Sequence, residues 1–159
     1  MHRCFFIAVL LCFFSANAQE ISDKKFEAFN RENIAGSKGV VVVNFWATWC
    51  RPCIEELPFF EKVNSEMNSE SFRMYLVNLD FNSKFKTVAT DFVKRKQIKS
   101  EVIHINDTDP NVWINKVDSS WSGAIPATVI YNDGKKVFFK EGEMTEEQLR
   151  EAISKIKNK

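Results

Sequence analysis

The fold is decided by one continuous stretch, Val40-Val41-Val42-Val43-Asn44-Phe45-Trp46-Ala47-Thr48-Trp49-Cys50-Arg51-Pro52-Cys53. It begins with a β-branched apolar run, which is typical of a strand buried on both faces of a parallel sheet. Two cysteines follow where this strand gives way to a predicted helix that extends to about Met67. The order predicts a central strand whose carboxyl end delivers the cysteine pair to a helix N-terminus.

Strands and helices alternate through the rest of the chain. The further predicted strands are Met74 to Leu79, Val102 to Ile105, Ala127 to Tyr131 and Val137 to Lys140, the last two joined by the hairpin signal Asn132-Asp133-Gly134-Lys135. The further predicted helices are residues 22–33, one capped by Ser83 with Phe85, Val88 and Phe92 facing inward, one begun by Asp109-Pro110, and a last one begun by a capping box of Thr145 and Gln148. This order predicts an α/β fold with a mixed sheet and helices on both faces.

The first residues have the pattern of an export signal. A short basic start is followed by the apolar run Phe5 to Phe14 and by Ala16-Asn17-Ala18, a small-x-small cleavage pattern. The run has about 10 residues, whereas a membrane span needs about 20. We therefore predict a signal peptide over 1–18 and one domain over 19–159. The alternatives are a retained anchor, a buried helix, or lipidation at Cys12, which the bulky Leu11 before it disfavours.

Composition and charge describe an ordinary globular domain. The chain has 159 residues, with 22 basic and 21 acidic side chains. Removal of residues 1–18 takes one basic residue, Arg3, and leaves 21 of each sign. This balance gives no reason to expect nucleic acid or an anionic membrane as a partner.

The predicted domain retains two cysteines, Cys50 and Cys53. A disulfide that closes so short a loop constrains the unfolded chain very little, so a chemical role explains the pair better than a structural one. A helix N-terminus stabilises a thiolate, which predicts Cys50 as the nucleophile and the more buried Cys53 as the resolving thiol. Arg51 adds a nearby cation, and Pro52 suits the first helical turn because it lacks an N–H. The alternative is half of a zinc site, but the domain offers no third cysteine and a single histidine, His104, so no metal is expected.

The segment from Asn44 to Cys53 resembles the active-site segment of the thioredoxin superfamily, and is most similar to envelope disulfide reductases of the TlpA/ResA type. The resemblance implies a thioredoxin-like three-layer sandwich with one helix–strand insertion, Ser83 to about Val117. Trp121-Ser122-Gly123-Ala124-Ile125-Pro126-Ala127-Thr128 resembles the cis-proline loop of that family. It implies a cis Ile125–Pro126 bond beside the cysteines, with the Ile125 backbone pairing with an extended substrate.

Other site residues follow from position or from this resemblance. Glu56 matches an acid of the TlpA/ResA type and lies one helical turn from Cys53, where it could handle protons; the alternative is a solvated helix side chain. Asn44 stands where thioredoxin itself has a buried Asp. Trp49 and Trp121 are expected to border the substrate groove, the alternative being core packing, whereas Trp113 is expected in the core.

These features predict an exported enzyme that reduces disulfides by dithiol–disulfide exchange, with no cofactor beyond the Cys50–Cys53 pair. The resemblance implies disulfide-bearing envelope proteins, apocytochrome c among them, as substrates, and a membrane electron donor; a monomer is expected. Two alternatives stay open. Arg51 favours a disulfide-donating oxidase, because stabilising the thiolate makes the pair more oxidising. A non-enzymatic peptide-binding module is the other.

Overall fold

The computed structural model describes residues 21–67 and 69–157, so the predicted signal peptide lies outside the described residues. The strands are β1 Ser22–Lys24, β2 Val40–Trp46, β3 Phe72–Asn78, β4 Glu101–Ile105, β5 Ala127–Asn132 and β6 Lys135–Glu141. They form one sheet in the order β1-β4-β3-β2-β5-β6. The first four in that order run parallel, β5 pairs antiparallel with β2, and β6 pairs antiparallel with β5. The predicted mixed sheet with a central β2 is confirmed.

Helices cover both faces of this sheet. They are α1 Phe26–Phe29 with a π-helical turn Asn30–Ile34, α2 Arg51–Met67, α3 Asn82–Lys84 continued by a π-helical turn Phe85–Ala89 into α4 Thr90–Lys96, a 3-10 turn Pro110–Val112, α5 Ile114–Val117 and α6 Glu146–Lys157. Within the described ranges, no helix has both the length and the apolar character needed to cross a membrane.

The two faces of β2 bury two separate hydrophobic clusters. Val40, Val42 and Trp46 pack with α2, α4 and α6, whereas Val41 and Val43 pack with α1 and α5. Successive side chains of a strand point to opposite faces, so an unbroken apolar strand serves both clusters. The three-layer thioredoxin-like arrangement is therefore confirmed.

Local signals at the carboxyl-terminal end were predicted correctly. The hairpin between β5 and β6 turns at Asp133 and Gly134, which both have positive φ as a type I′ turn requires. The capping box is formed in both directions: the Gln148 N–H donates to Thr145 Oγ1, and the Thr145 N–H donates to Gln148 Oε1, each at 3.2 Å.

Three predictions near helices were wrong. Residues 22–33 are not one helix, because Ser22–Lys24 pairs with β4 as an edge strand and helical structure begins only at Phe26. Ser83 is not a cap, since α3 begins at Asn82 and no side chain caps it. The π-helical turn that follows adds a residue to the helical repeat, which leaves Val88 exposed and buries Ala89 in its place.

Candidate active site

The cysteine pair lies between the end of β2 and the start of α2, as predicted. Cys50 and Cys53 form a disulfide. Cys50 is 5% exposed and Cys53 is fully buried. The Cys53 N–H points at Cys50 Sγ from 3.3 Å, so the first turn of α2 directs a backbone donor at the outer sulfur. A thiolate on Cys50 is stabilised by this N–H and by the positive end of α2.

The loop before β5 meets this pair. The Ile125–Pro126 bond is cis, as expected. The Ile125 carbonyl oxygen lies 3.6 Å from Cys50 Sγ, and the Pro126 carbonyl accepts a hydrogen bond from the Gly142 N–H at 2.8 Å. Among the described residues none accepts the Ile125 N–H, which leaves one main-chain donor available next to the outer sulfur.

Trp121 is packed in the core, which was the alternative to its predicted position at the substrate groove. Its side chain is 4% exposed and packs against Phe45, with ring centroids 4.6 Å apart. Its indole N–H donates to the Ala124 carbonyl at 2.7 Å. Because its ring is buried and its N–H is bonded within the loop, Trp121 stabilises the Pro126 loop and offers little surface to a partner.

Glu56 is buried, so the alternative of a solvated helix side chain does not describe it. Its Oε1 accepts from Asn44 Nδ2 at 2.7 Å, and its Oε2 accepts from the Met144 N–H at 2.7 Å. Burial raises the pKa of Glu56 to about 7, although both hydrogen bonds favour the charged form and lower the pKa. A carboxyl with this pKa exchanges its proton near neutral pH.

Asn44 is the strand residue that meets Glu56. It is fully buried, and its Nδ2 also donates to Thr128 Oγ1 at 3.2 Å across the β2–β5 pair. Its Oδ1 has no partner among the described residues. The Asn44 side chain therefore keeps an unused acceptor within the same buried cluster.

The residues around Cys50 on the outer surface are exposed. Arg51 has 89% of its side chain exposed and pairs with Glu55 at 2.8 Å, an i,i+4 contact along α2. Pro52 is exposed as well. Trp49 is 60% exposed and stacks against Phe81, with ring centroids 6.5 Å apart.

A second buried polar cluster was missed by sequence reasoning. Asp80, just after β3, accepts from the Thr48 N–H at 3.0 Å and from Thr48 Oγ1 at 2.9 Å, and its other oxygen accepts from Asn78 Nδ2 at 3.1 Å. His104 Nε2 donates to the Asp80 carbonyl at 2.9 Å, while Nδ1 lies 3.0 Å from Asp23 Oδ1. The cluster fixes the loop that precedes Cys50.

The sequence offered one indication of this cluster. Asp80 follows a parallel strand beside β2, and the carboxyl ends of neighbouring parallel strands lie at the same edge of the sheet.

In the part of the chain that the structure describes, no group of three or more His, Cys, Asp or Glu side chains is arranged to hold a metal ion.

Comparisons with known proteins agree with this geometry. The sequence profile of the AhpC/TSA family matches residues 13–139. The chain is 28% identical over 138 residues to the thiol-disulfide oxidoreductase ResA of Bacillus cereus, covering 86% of this chain and 73% of that protein. It is 30% identical over 118 residues to the ResA of Bacillus subtilis, covering 74% of this chain and 61% of that protein, somewhat less than two thirds of its length.

The crystal structure of StoA from Bacillus subtilis superposes with a TM-score of 0.57 at 30% identity, covering 74% of this chain and 83% of that one. The span of the family profile includes β2, the cysteine pair and the Pro126 loop. The chain belongs to the AhpC/TSA family of thioredoxin-like proteins and carries the Cys50–Cys53 redox centre of a thiol–disulfide oxidoreductase.

Proposed function

We propose that this chain is an exported protein-disulfide reductase. The observation that carries the proposal is the Cys50–Cys53 pair at the start of α2, with Cys50 slightly exposed (5%), Cys53 fully buried, and the Ile125 carbonyl oxygen 3.6 Å from Cys50 Sγ. That arrangement suits a thiol that attacks a partner and a thiol that reacts only within the protein.

The exchange proceeds in two displacements. The Cys50 thiolate attacks one sulfur of the substrate disulfide; the second substrate sulfur leaves as a thiolate and takes up a proton. The Cys53 thiolate then attacks Cys50 Sγ, releasing the first substrate sulfur as a thiol and forming the Cys50–Cys53 disulfide. The substrate gains two electrons and two protons, and a membrane electron donor restores the dithiol.

Glu56 is the group that takes the proton from Cys53. It lies three residues further along α2, on the same helical face as Cys53, and both side chains are buried. Its pKa of about 7 lets it accept a proton and pass it on near neutral pH.

The substrate is bound by residues that surround the accessible sulfur. Trp49, Arg51 and Pro52 present exposed surface on one side. On the other side, the free N–H of Ile125 at the Pro126 loop is placed to pair with an extended polypeptide, a mode that reads the main chain and tolerates many sequences. Disulfide-bearing envelope proteins, apocytochrome c among them, fit this chemistry.

The export proposal rests on the pattern of residues 1–18 and on the similarity to ResA and StoA.

The oxidase alternative loses its main support. It rested on Arg51 stabilising the Cys50 thiolate, but the guanidinium is solvent-exposed and paired with Glu55. A cation that is exposed and neutralised by a neighbouring carboxylate adds little to the stability of a thiolate.

Two measurements test the proposal. Reduced protein should accelerate the reduction of insulin disulfides by dithiothreitol, and Cys50→Ser should abolish that acceleration. The reduction potential of the Cys50–Cys53 pair, titrated against glutathione, should be close to that of thioredoxin, about −270 mV. No turnover of insulin would favour the peptide-binding module, and a potential near −120 mV would favour the oxidase.

A further inference from the structure

Trp49 and Phe81 are the two most exposed large apolar side chains of the described residues. Trp49 is 60% exposed and Phe81 is 72% exposed, and their rings stack at 22° with centroids 6.5 Å apart. Together they form a solvent-exposed aromatic pair, of which Trp49 directly precedes Cys50 in sequence. Apolar surface of this kind is costly to leave in water and marks a site of interaction.

The backbone beneath Phe81 is fixed. Its carbonyl accepts from the Lys84 N–H at 2.7 Å and from the Phe85 N–H at 3.0 Å, which begins the helical segment after β3. The preceding residue, Asp80, holds Thr48 through two hydrogen bonds. The two loops that carry the aromatic pair are therefore tied together, and the pair is organised before any partner arrives.

We propose that Phe81 is a specificity-determining residue, which with Trp49 forms an aromatic platform for a large apolar side chain close to the cysteine of the substrate polypeptide. The inference rests on the proposed function, because it concerns the chain whose disulfide Cys50 attacks.

The position of the platform selects its occupant. Cys50, which the substrate sulfur must reach, directly follows Trp49 in sequence, and an extended polypeptide held by the Ile125 N–H advances about 3.3 Å per residue. A side chain one or two residues from the substrate cysteine then lies over rings whose centroids are 6.5 Å apart. An aromatic or branched aliphatic side chain gains by covering them, and a small polar side chain does not.

The test uses two synthetic peptides with an intramolecular disulfide, identical except for Phe or Ser two residues from the attacked cysteine. The rate constant for oxidation of reduced protein by each peptide is measured from the peptide thiol released. The wild-type protein should react faster with the Phe peptide by about 2- to 10-fold, the range expected for one aromatic contact. Phe81→Ala should bring the two rate constants together, and Phe81→Leu should restore part of the difference.

Phe59 provides the matched control. It is 40% exposed but lies nine residues beyond Cys50 on α2, about 13 Å along the helix. Phe59→Ala should keep the wild-type ratio between the two peptides.

The outcomes separate the two proposals. Release of thiol from neither peptide by wild-type protein would overturn the proposed function. Release from both at equal rates, or a ratio that Phe81→Ala leaves unchanged, would overturn the platform while leaving the function in place. Loss of the ratio in Phe59→Ala as well would also overturn it, because the effect would not be local to Phe81.

Discussion

Glu56→Gln should change how the stability of this protein depends on pH. The carboxyl is buried and has a pKa of about 7, compared with an ordinary value of 4.5. Between those two pH values the folded protein keeps the Glu56 proton while the unfolded chain loses it. The free energy of unfolding therefore falls as pH rises through this window, since the folded state binds more protons there.

The size of the effect follows from the same two values. The contribution of Glu56 to the free energy of unfolding is fully present below pH 4.5 and is lost by about pH 7. The difference between the two pKa values corresponds to about 3 kcal/mol, at 1.36 kcal/mol per pH unit. Gln does not titrate. Its altered hydrogen bonds to Asn44 and Met144 add a constant offset but no pH dependence.

Urea unfolding of the oxidised protein at several pH values between 4 and 8 measures this directly, because the disulfide removes thiol titration. The difference in unfolding free energy between wild type and Glu56→Gln should shift by about 3 kcal/mol in favour of Gln as pH rises. Glu55→Gln is the matched control for the loss of a carboxylate from the same helix, since Glu55 is exposed and pairs with Arg51. A Glu56→Gln difference that is the same at pH 4.5 and pH 8 would refute the assignment of a raised pKa.

Three further variants probe the sulfur chemistry and the cluster beneath it. Cys53→Ser should accumulate a mixed disulfide through Cys50, visible as a mass increase under non-reducing conditions; a variant that turns over without trapping substrate would contradict the order of attack. Asp80→Ala should destabilise the protein by about 1–3 kcal/mol in urea unfolding, because the partly buried Thr48 N–H loses its acceptor, and an unchanged midpoint would show that the hydrogen bonds from Thr48 to Asp80 contribute nothing net. His104→Phe should cost a similar amount, about 1–3 kcal/mol, by leaving the Asp80 carbonyl without its donor, and full stability would show that this hydrogen bond contributes nothing net.

Predictions from the sequence were correct where they depended on residues that are close together in the chain. The β-branched run of β2 and the cysteines after it are contiguous, so strand, helix start and redox pair follow from a single stretch. The Asp133-Gly134 turn and the Thr145–Gln148 box also depend on residues within a few positions of each other.

The errors arose where distant contacts decide the outcome. Ser22–Lys24 has too few residues to show a strand pattern, and it becomes a strand only by pairing with β4, about 80 residues away. Val88 fits an α-helical spacing, but the π-helical turn changes that spacing, and tertiary packing determines where such a turn forms. The position of Trp121 before the Pro126 loop left both the groove and the core open, and only the packing with Phe45 shows that the ring lies in the core.

The contact between Asn44 and Glu56 could have been deduced from two periodicities taken together. Asn44 has the same parity along β2 as Val42 and Trp46, so its side chain points to the face of the sheet that α2 covers. Glu56 follows Cys53 by three residues and precedes Phe60 by four, which places it on the buried stripe of α2. A polar strand residue and an acidic helix residue on facing buried surfaces are each other's natural partners, because a buried polar group needs a hydrogen bond inside the protein. In this chain the strand supplies an amide donor and the helix supplies the carboxyl. The titrating group therefore lies on the same helix as Cys53, one turn from the sulfur whose proton we propose it takes.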